Sequence, residues 1–187
     1  MNRKIFDIIN NFTSITEKEY GHIAQKLKLT LFNRNENFIE IGQKNKVLGF
    51  LEKGLLRSYY YDDNGNEITT GFIEENSFFT ELNSYQTDNL SERTIEALEP
   101  SNIYIFTNED LTEFRKSISN WQIFERKYYD WIVKEKIKFH GYITRCTKKE
   151  AYQLFIDTYN QSAKYAPRQY IASFLGMTPF TLSRIKL

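Results

Sequence analysis

Basic side chains without acidic neighbours mark the C-terminal end of this chain. After Asp157 no Asp or Glu occurs, while Lys164, Arg168, Arg184 and Lys186 do. From Val133 to Leu187 there are ten Lys/Arg against three Asp/Glu, whereas residues 1–132 hold fifteen against twenty-one. The formal charge of +1 therefore hides a basic C-terminal third on an acidic body. Fixed cations gathered in this way suit a polyanionic partner. A solvated basic face without a partner would carry the same charge pattern.

The last of these cations stand in an ordered frame. Ile171, Ala172 and Leu175 fall at i, i+1 and i+4, one apolar face of a short helix. Gly176 sits where a helix needs a left-handed residue just past its C-terminus. Thr178 can cap a second helix, with Pro179 at its first position, where a missing N–H costs nothing. Leu182 and Ile185 then point back at the first helix. Such a pair is a helix-turn-helix, whose second helix lies in a DNA major groove. An ordinary helical hairpin would share the same apolar spacing.

Other chemistries find few residues to carry them. The single cysteine, Cys146, permits no internal disulfide and no four-cysteine cluster, and points to a reducing compartment. His22 and His140 are the only histidines, and both fall in expected helices. A metal-dependent jelly-roll enzyme needs two or three His ligands and a carboxylate clustered in the barrel. Ser–His–Asp catalysis meets the same shortage, and no GxxxxGK[ST] phosphate loop occurs. No apolar run approaches the ~18 residues of a membrane span. The N-terminus has basic residues with no apolar segment behind them, so no signal peptide is expected. The reading is a non-enzymatic, cytoplasmic protein that needs no metal or cofactor.

The elements that must hold the basic end in place are legible upstream. Thr16-x-x-Glu19 is a capping box, followed by Tyr20, Ile23, Ala24 and Leu27 at helical spacing. From Leu29 the period shifts to short β-rich runs: Phe38–Ile41, Val47–Leu51, Leu55–Tyr61, Ile68–Ile73, Ile95–Leu98 and Ile103–Phe106. Asp62-Asp63-Asn64-Gly65-Asn66 is a hairpin turn between two of them. Strands this short and regular imply an antiparallel sandwich or jelly roll. From Asn120 to about Arg145 a single long helix is expected, with an aromatic stripe through Phe124, Tyr128, Trp131 and Phe139. That stripe exceeds what one edge of a small sandwich covers, so these four are expected to bury it against a second copy, giving a homodimer. A helix lying wholly on its own domain is the other reading. Thr147-x-x-Glu150 caps a further helix. The fold class is α+β, divided as a jelly-roll sensor domain at 1–118, a dimerisation helix at 119–146 and a helix-turn-helix domain at 147–187.

In this order the pieces resemble the Crp–Fnr family of bacterial transcription regulators over nearly the whole chain. The matching stretches are 38–42, 50–57, 60–67, 76–82 and 171–185, the last similar to the compact Bacteroidetes type. The resemblance implies a cyclic-nucleotide-binding-domain-like jelly roll, double-stranded DNA and RNA polymerase as partners, and a small-molecule effector. Family members that bind cyclic AMP carry Gly-Glu-Leu and an arginine about ten residues later. Here Glu81 and Leu82 match, Thr80 replaces the glycine, and Ser91 takes the arginine position. Arg93 lies two residues on, on the same strand face. Phe79, Thr80, Glu81, Leu82, Ser91 and Arg93 are thus the candidate effector pocket, with cyclic AMP not expected to bind. In the reading helix, Pro179-Phe180 stands where members have Arg-Glu. Arg184 matches a base-reading arginine that can pair with guanine. Gln169, Thr178 and Thr181 match phosphate contacts, and Phe180 and Lys186 complete the candidate DNA surface. The family's β-hairpin wing would follow Leu187 and is not expected. The rival reading is a sensor or interaction module with a vestigial helix-turn-helix.

Overall fold

The computed structural model describes residues 3–87 and 89–186. Two antiparallel four-stranded sheets form its centre. One runs β1 (Lys28–Phe32), β8 (Ser101–Phe106), β3 (Leu48–Lys53), β6 (Ser77–Phe79), and the other β2 (Asn37–Ile39), β7 (Thr94–Ala97), β4 (Leu56–Tyr61), β5 (Glu67–Ile73). Alternation along β3 shows how both faces are used. Leu51 meets Leu56, Phe79, Ile95 and Ile103 between the sheets, while Leu48 and Phe50 face outward to a helical layer. The turn between β4 and β5 closes as expected, with Asp62 accepting from the amides of Asn64 and Asn66 at 2.9 and 2.8 Å.

The helical layer comprises α1 (Arg3–Phe12), α2 (Glu17–Lys26), α4 (Asn108–Ser117) and the first half of α5 (Trp121–Ile143). Capping boxes begin α2 at Thr16 and α4 at Thr107. Ile5, Ile9, Tyr20, Ile23, Phe114, Trp121 and Phe124 bury against Phe50, Phe78 and Phe106. At about 25 cal/mol per Å² of apolar area, a cluster of this size is the largest favourable term in the N-terminal part.

This layer corrects the expectation for the aromatic stripe of α5. Phe124, Tyr128 and Phe139 are buried within the single chain, and only Trp131 of the expected dimer residues is exposed, at 48%. Phe124 and Tyr128 are covered by α1, and Phe139 by Tyr159 and Phe174 nearer the C-terminus. Phe12 of α1 meets Phe124, Tyr128 and Trp131 edge-on at 6.3, 5.1 and 5.6 Å. The Tyr128 hydroxyl also accepts from the Phe78 amide at 2.9 Å and donates to its carbonyl at 3.2 Å, closing the free edge of β6. The apolar side chains that α5 leaves exposed are Ile123, Trp131, Val133, Ile137 and Tyr142.

The remaining helices are the short α3 (Leu82–Gln86) beyond β6, then α6 (Lys148–Thr158), α7 (Asn160–Tyr165), α8 (Arg168–Phe174) and α9 (Pro179–Ser183) at the C-terminal end. Thr147 caps α6 in a capping box, as its spacing predicts. Phe155, Ile171, Ala172, Phe174, Leu175 and Leu182 share one core with Phe139 of α5, Phe72 of β5, and Leu55 and Leu98 in the connections β3–β4 and β7–β8. The C-terminal helices therefore dock on the β-structure directly. Among the described residues, no helix is long and apolar enough to cross a membrane.

Candidate functional site

A cavity of about 380 Å³ lies between β5, β6, the start of α3 and the inner face of α5, within the usual size range for small ligands. Phe79, Thr80, Glu81, Leu82 and Arg93 line it, as expected of an effector pocket; Ser91 does not. The Ser91 hydroxyl instead donates to the Arg93 carbonyl at 2.6 Å, and its backbone pairs with Gly42 and Gln43. It is a buried loop clasp, a correction to its placement in the pocket.

Glu81 is present but committed. Its carboxylate caps α3, accepting from the Asn83 amide at 3.3 Å, the Ser84 amide at 2.8 Å and the Ser84 hydroxyl at 2.8 Å. The free amides that a helix N-terminus offers an anion are thereby taken. Thr80 is equally committed, donating to the Val47 carbonyl at 2.8 Å and accepting from the Asn45 amide at 3.0 Å.

Lys136 of α5 also lines the cavity and was not found by sequence reasoning. Its ammonium reaches across to β5 and would stand 3.8 Å from a Cβ placed at Gly71. A glycine inside a strand is a mark of close approach, and that was the available signal. By area Lys136 is exposed. Desolvation, then the charge of Arg93, hold its pKa below the ordinary value. Tyr159, at the junction of α6 and α7, closes the far wall, its phenol pushed up to about 12 by burial.

The second candidate surface is the α8–α9 pair. Gly176 has φ +63°, the Met177 amide donates to the Ala172 carbonyl at 2.9 Å, and the Gly176 amide to Ser173 at 3.1 Å. These two bonds are the Schellman closure, which a residue with a Cβ would strain. Thr178 caps α9 by accepting from the Thr181 amide at 3.1 Å, with Pro179 at the first position. Gln169, Thr178, Phe180, Arg184 and Lys186 are exposed, and Thr181 is half-buried. The Arg184 guanidinium stacks on the Phe180 ring at 3.8 Å, which aims it outward.

The opposite face of α8 holds the β-structure. Tyr170 stacks on the buried Arg57 at 3.4 Å, and the Ser173 hydroxyl accepts from the Thr69 amide at 3.0 Å. Arg57 in turn pairs with Glu67 and Glu96. Glu74, between β5 and β6, caps α7 by accepting from the Ser162 amide at 2.7 Å. A wider groove of about 900 Å³ between α5 and α6 is lined by Cys146 and by Glu135, Glu150, Lys138 and Arg145. It gathers none of the expected effector residues, and its charges balance.

With the cavity and the β-structure in view, the relation to known proteins is direct. Residues 29–117 match the cyclic nucleotide-binding domain. No curated protein matches the chain. Among solved structures, the Thermus thermophilus catabolite activator protein is similar at 13% identity, covering 93% of this chain and 83% of that one, with TM-score 0.58. The c-di-GMP responsive global regulator CLP of Xanthomonas campestris is similar at 11% identity, covering 91% and 89%, with TM-score 0.67. A cAMP-bound PfPKA-R chain is similar at 19% identity and TM-score 0.53 over 59% of this chain, which spans 40% of that one. The fold is therefore a cyclic-nucleotide-binding jelly roll with helices, as in catabolite-activator-like proteins, and its neighbours include Crp–Fnr-type regulators.

Proposed function

We propose that this protein is a DNA-binding transcription regulator of the Crp–Fnr type, in which α8 and α9 are the helix-turn-helix and α9 enters the major groove. The observation that carries this reading is the exposed Arg184 at the C-terminal end of the capped α9, in a segment with no acidic side chain after Asp157. Gln169, Thr178, Thr181 and Lys186 contact phosphates and set register, and Arg184 reads a base. The division into a sensor at 1–118, a connecting helix at 119–146 and a DNA-binding part at 147–187 follows from the same reading. Two copies associate along the outer face of α5 through Ile137, with Trp131 at its edge, placing two reading helices about 34 Å apart on a two-fold site.

The cavity beneath α5 is the effector site, and cyclic AMP is not its ligand. Support comes from Glu81, whose carboxylate occupies the α3 amides, and from Ser91, which is turned away from the cavity. Calorimetry with cyclic AMP should show no heat of binding; tight binding lost in Arg93→Ala would reverse this. The DNA reading is tested by binding to duplexes selected from a random pool. Recovery of no sequence, with DNA held weakly and alike at low salt, would favour an interaction module whose helix pair is vestigial, a reading to which the five-residue length of α9 lends some weight.

A further inference from the structure

We propose that Arg126 and Asp130 of α5 pair across two copies of this chain, Arg126 of each with Asp130 of the other, and that this polar step fixes the two helices parallel and in register. The inference rests on the dimer reading above and adds what selects the partner and its orientation.

Beside its buried stripe, the exposed side of α5 carries a second periodic pattern. Ile123, Arg126, Asp130, Val133 and Ile137 follow one another at spacings of three and four, and His140 and Thr144 continue the series. All seven are exposed. A 3-4 repeat marks one seam along a helix, of the kind through which two helices supercoil. Such a seam is stabilised by apolar residues, and Ile123, Val133 and Ile137 supply them. Arg126 and Asp130 interrupt it with opposite charges at neighbouring seam positions. Among the described residues neither side chain has a hydrogen bond or ion pair. The charges that flank them are used within the chain: Glu125 pairs with Arg115 at 2.8 Å, and Lys127 donates to the Phe12 carbonyl at 2.9 Å. Elsewhere on a surface a solvated pair would be ordinary. Inside an apolar seam, each charge opposes association unless it meets the opposite charge of the partner.

The pattern selects one arrangement. In a parallel, in-register pair, Ile123, Val133 and Ile137 each meet their own counterpart. The Arg126 guanidinium then reaches the partner's Asp130 one layer along the seam, twice by symmetry. Sliding one helix by a heptad sets Asp130 against the partner's Ile137 and leaves the carboxylate without its cation. One antiparallel register also joins Arg126 to the partner's Asp130. It sets Ile123 against the partner's Val133 and leaves Ile137, the most exposed large apolar side chain of α5, without a counterpart. A single polar layer in an apolar seam is a device that fixes register at some cost in stability. Parallel helices also bring both α8–α9 pairs to the same end of the seam, as a two-fold DNA site requires.

Reversing the charges in the full chain tests this. Arg126→Asp puts acids at both positions and Asp130→Arg puts cations at both, so each variant repels its own copy. Each should raise the dimer dissociation constant about tenfold or more in sedimentation equilibrium, with circular dichroism unchanged. Mixed in equal amounts, the two variants complement each other and should dimerise within about threefold of wild type. The mixture is its own control for folding, since a misfolded variant could not rescue its complement. For orientation, Thr144→Cys in a Cys146→Ser background should form an inter-chain disulfide under mild oxidation. Parallel helices set the two residues opposite each other, and antiparallel ones hold them more than about 25 Å apart along the helix rise. A wild-type dimer unmoved by either reversal, or a mixture no tighter than the single variants, would overturn the pairing while the dimer reading stands. Absence of the disulfide would overturn the parallel orientation. A wild-type chain that is monomeric at micromolar concentration would remove the dimer reading itself, and this inference with it.

Discussion

Lys136 and His140 stand one helical turn apart on α5, so their charges act on each other. Burial first and the Lys136 charge second hold the His140 pKa below its ordinary 6.5. Lys136→Met removes the second cause, and the imidazole should titrate at higher pH in an NMR series. An unchanged titration would place the ammonium away from the cavity side of the helix. The sign for stability follows from the same shift: folded His140 takes its proton less readily than the unfolded chain, so stability falls as pH drops through 6.5. At the other site, Arg184→Ala should cost about 1–3 kcal/mol of DNA affinity and relax preference at one base pair per half-site. Equal loss on specific and random duplexes would remove Arg184 from the reading role. The Arg184 side chain was legible because sequence position and charge together single it out. Lys136 was not, since Lys134-Glu135-Lys136-Ile137-Lys138 has the composition of a solvated helix face. Only the strand across from it shows that one of these lysines, Lys136, lines the cavity.

Among the elements, those with local stop and start signals were the readable ones. Thr16 and Thr147 form the capping boxes their spacing implies, and Gly176, Thr178 and Pro179 give the turn between α8 and α9. Thr178→Ala should cost about 1 kcal/mol, read as a lower midpoint in urea unfolding and weaker DNA binding. α1 has no cap signal and mixes polar with apolar residues, and β6 is three residues long, so neither stood out. Missing α1 had a consequence for the long helix. Periodicity marks a face as apolar without saying what covers it, and Phe12 covers Phe124 and Tyr128 from within the chain. The proposed dimer surface is therefore placed farther round α5, where Ile137 is 66% exposed. Ile137→Asp should give a monomer in light scattering with unfolding little changed. A dimer that survives Ile137→Asp and Trp131→Asp together would place the contact elsewhere.

At the scale of the whole molecule, the β-structure and the C-terminal helices pack together, with Arg57 at their junction. Its guanidinium lies between Tyr170 of α8 and the carboxylates of Glu67 and Glu96, almost fully buried. Arg57→Met should destabilise by about 3–5 kcal/mol, because Glu96 is left buried without its partner. If urea unfolding shows less than 1 kcal/mol, the sheet and helices are not coupled by this pair. No sequence pattern pointed to this contact, since Arg57 and Tyr170 are joined only by tertiary structure. α9 packs into the shared core through Leu182, while Arg184 and Lys186 just past its end are exposed. The central claim, that this exposed basic end reads DNA, is tested most directly by measuring affinity for a selected duplex and a scrambled one across a salt series. The account predicts at least ~10³-fold preference for the selected duplex, with affinity falling steeply and linearly in log salt. Affinity that does not distinguish the two duplexes, or that is absent at 50 mM salt, would contradict it.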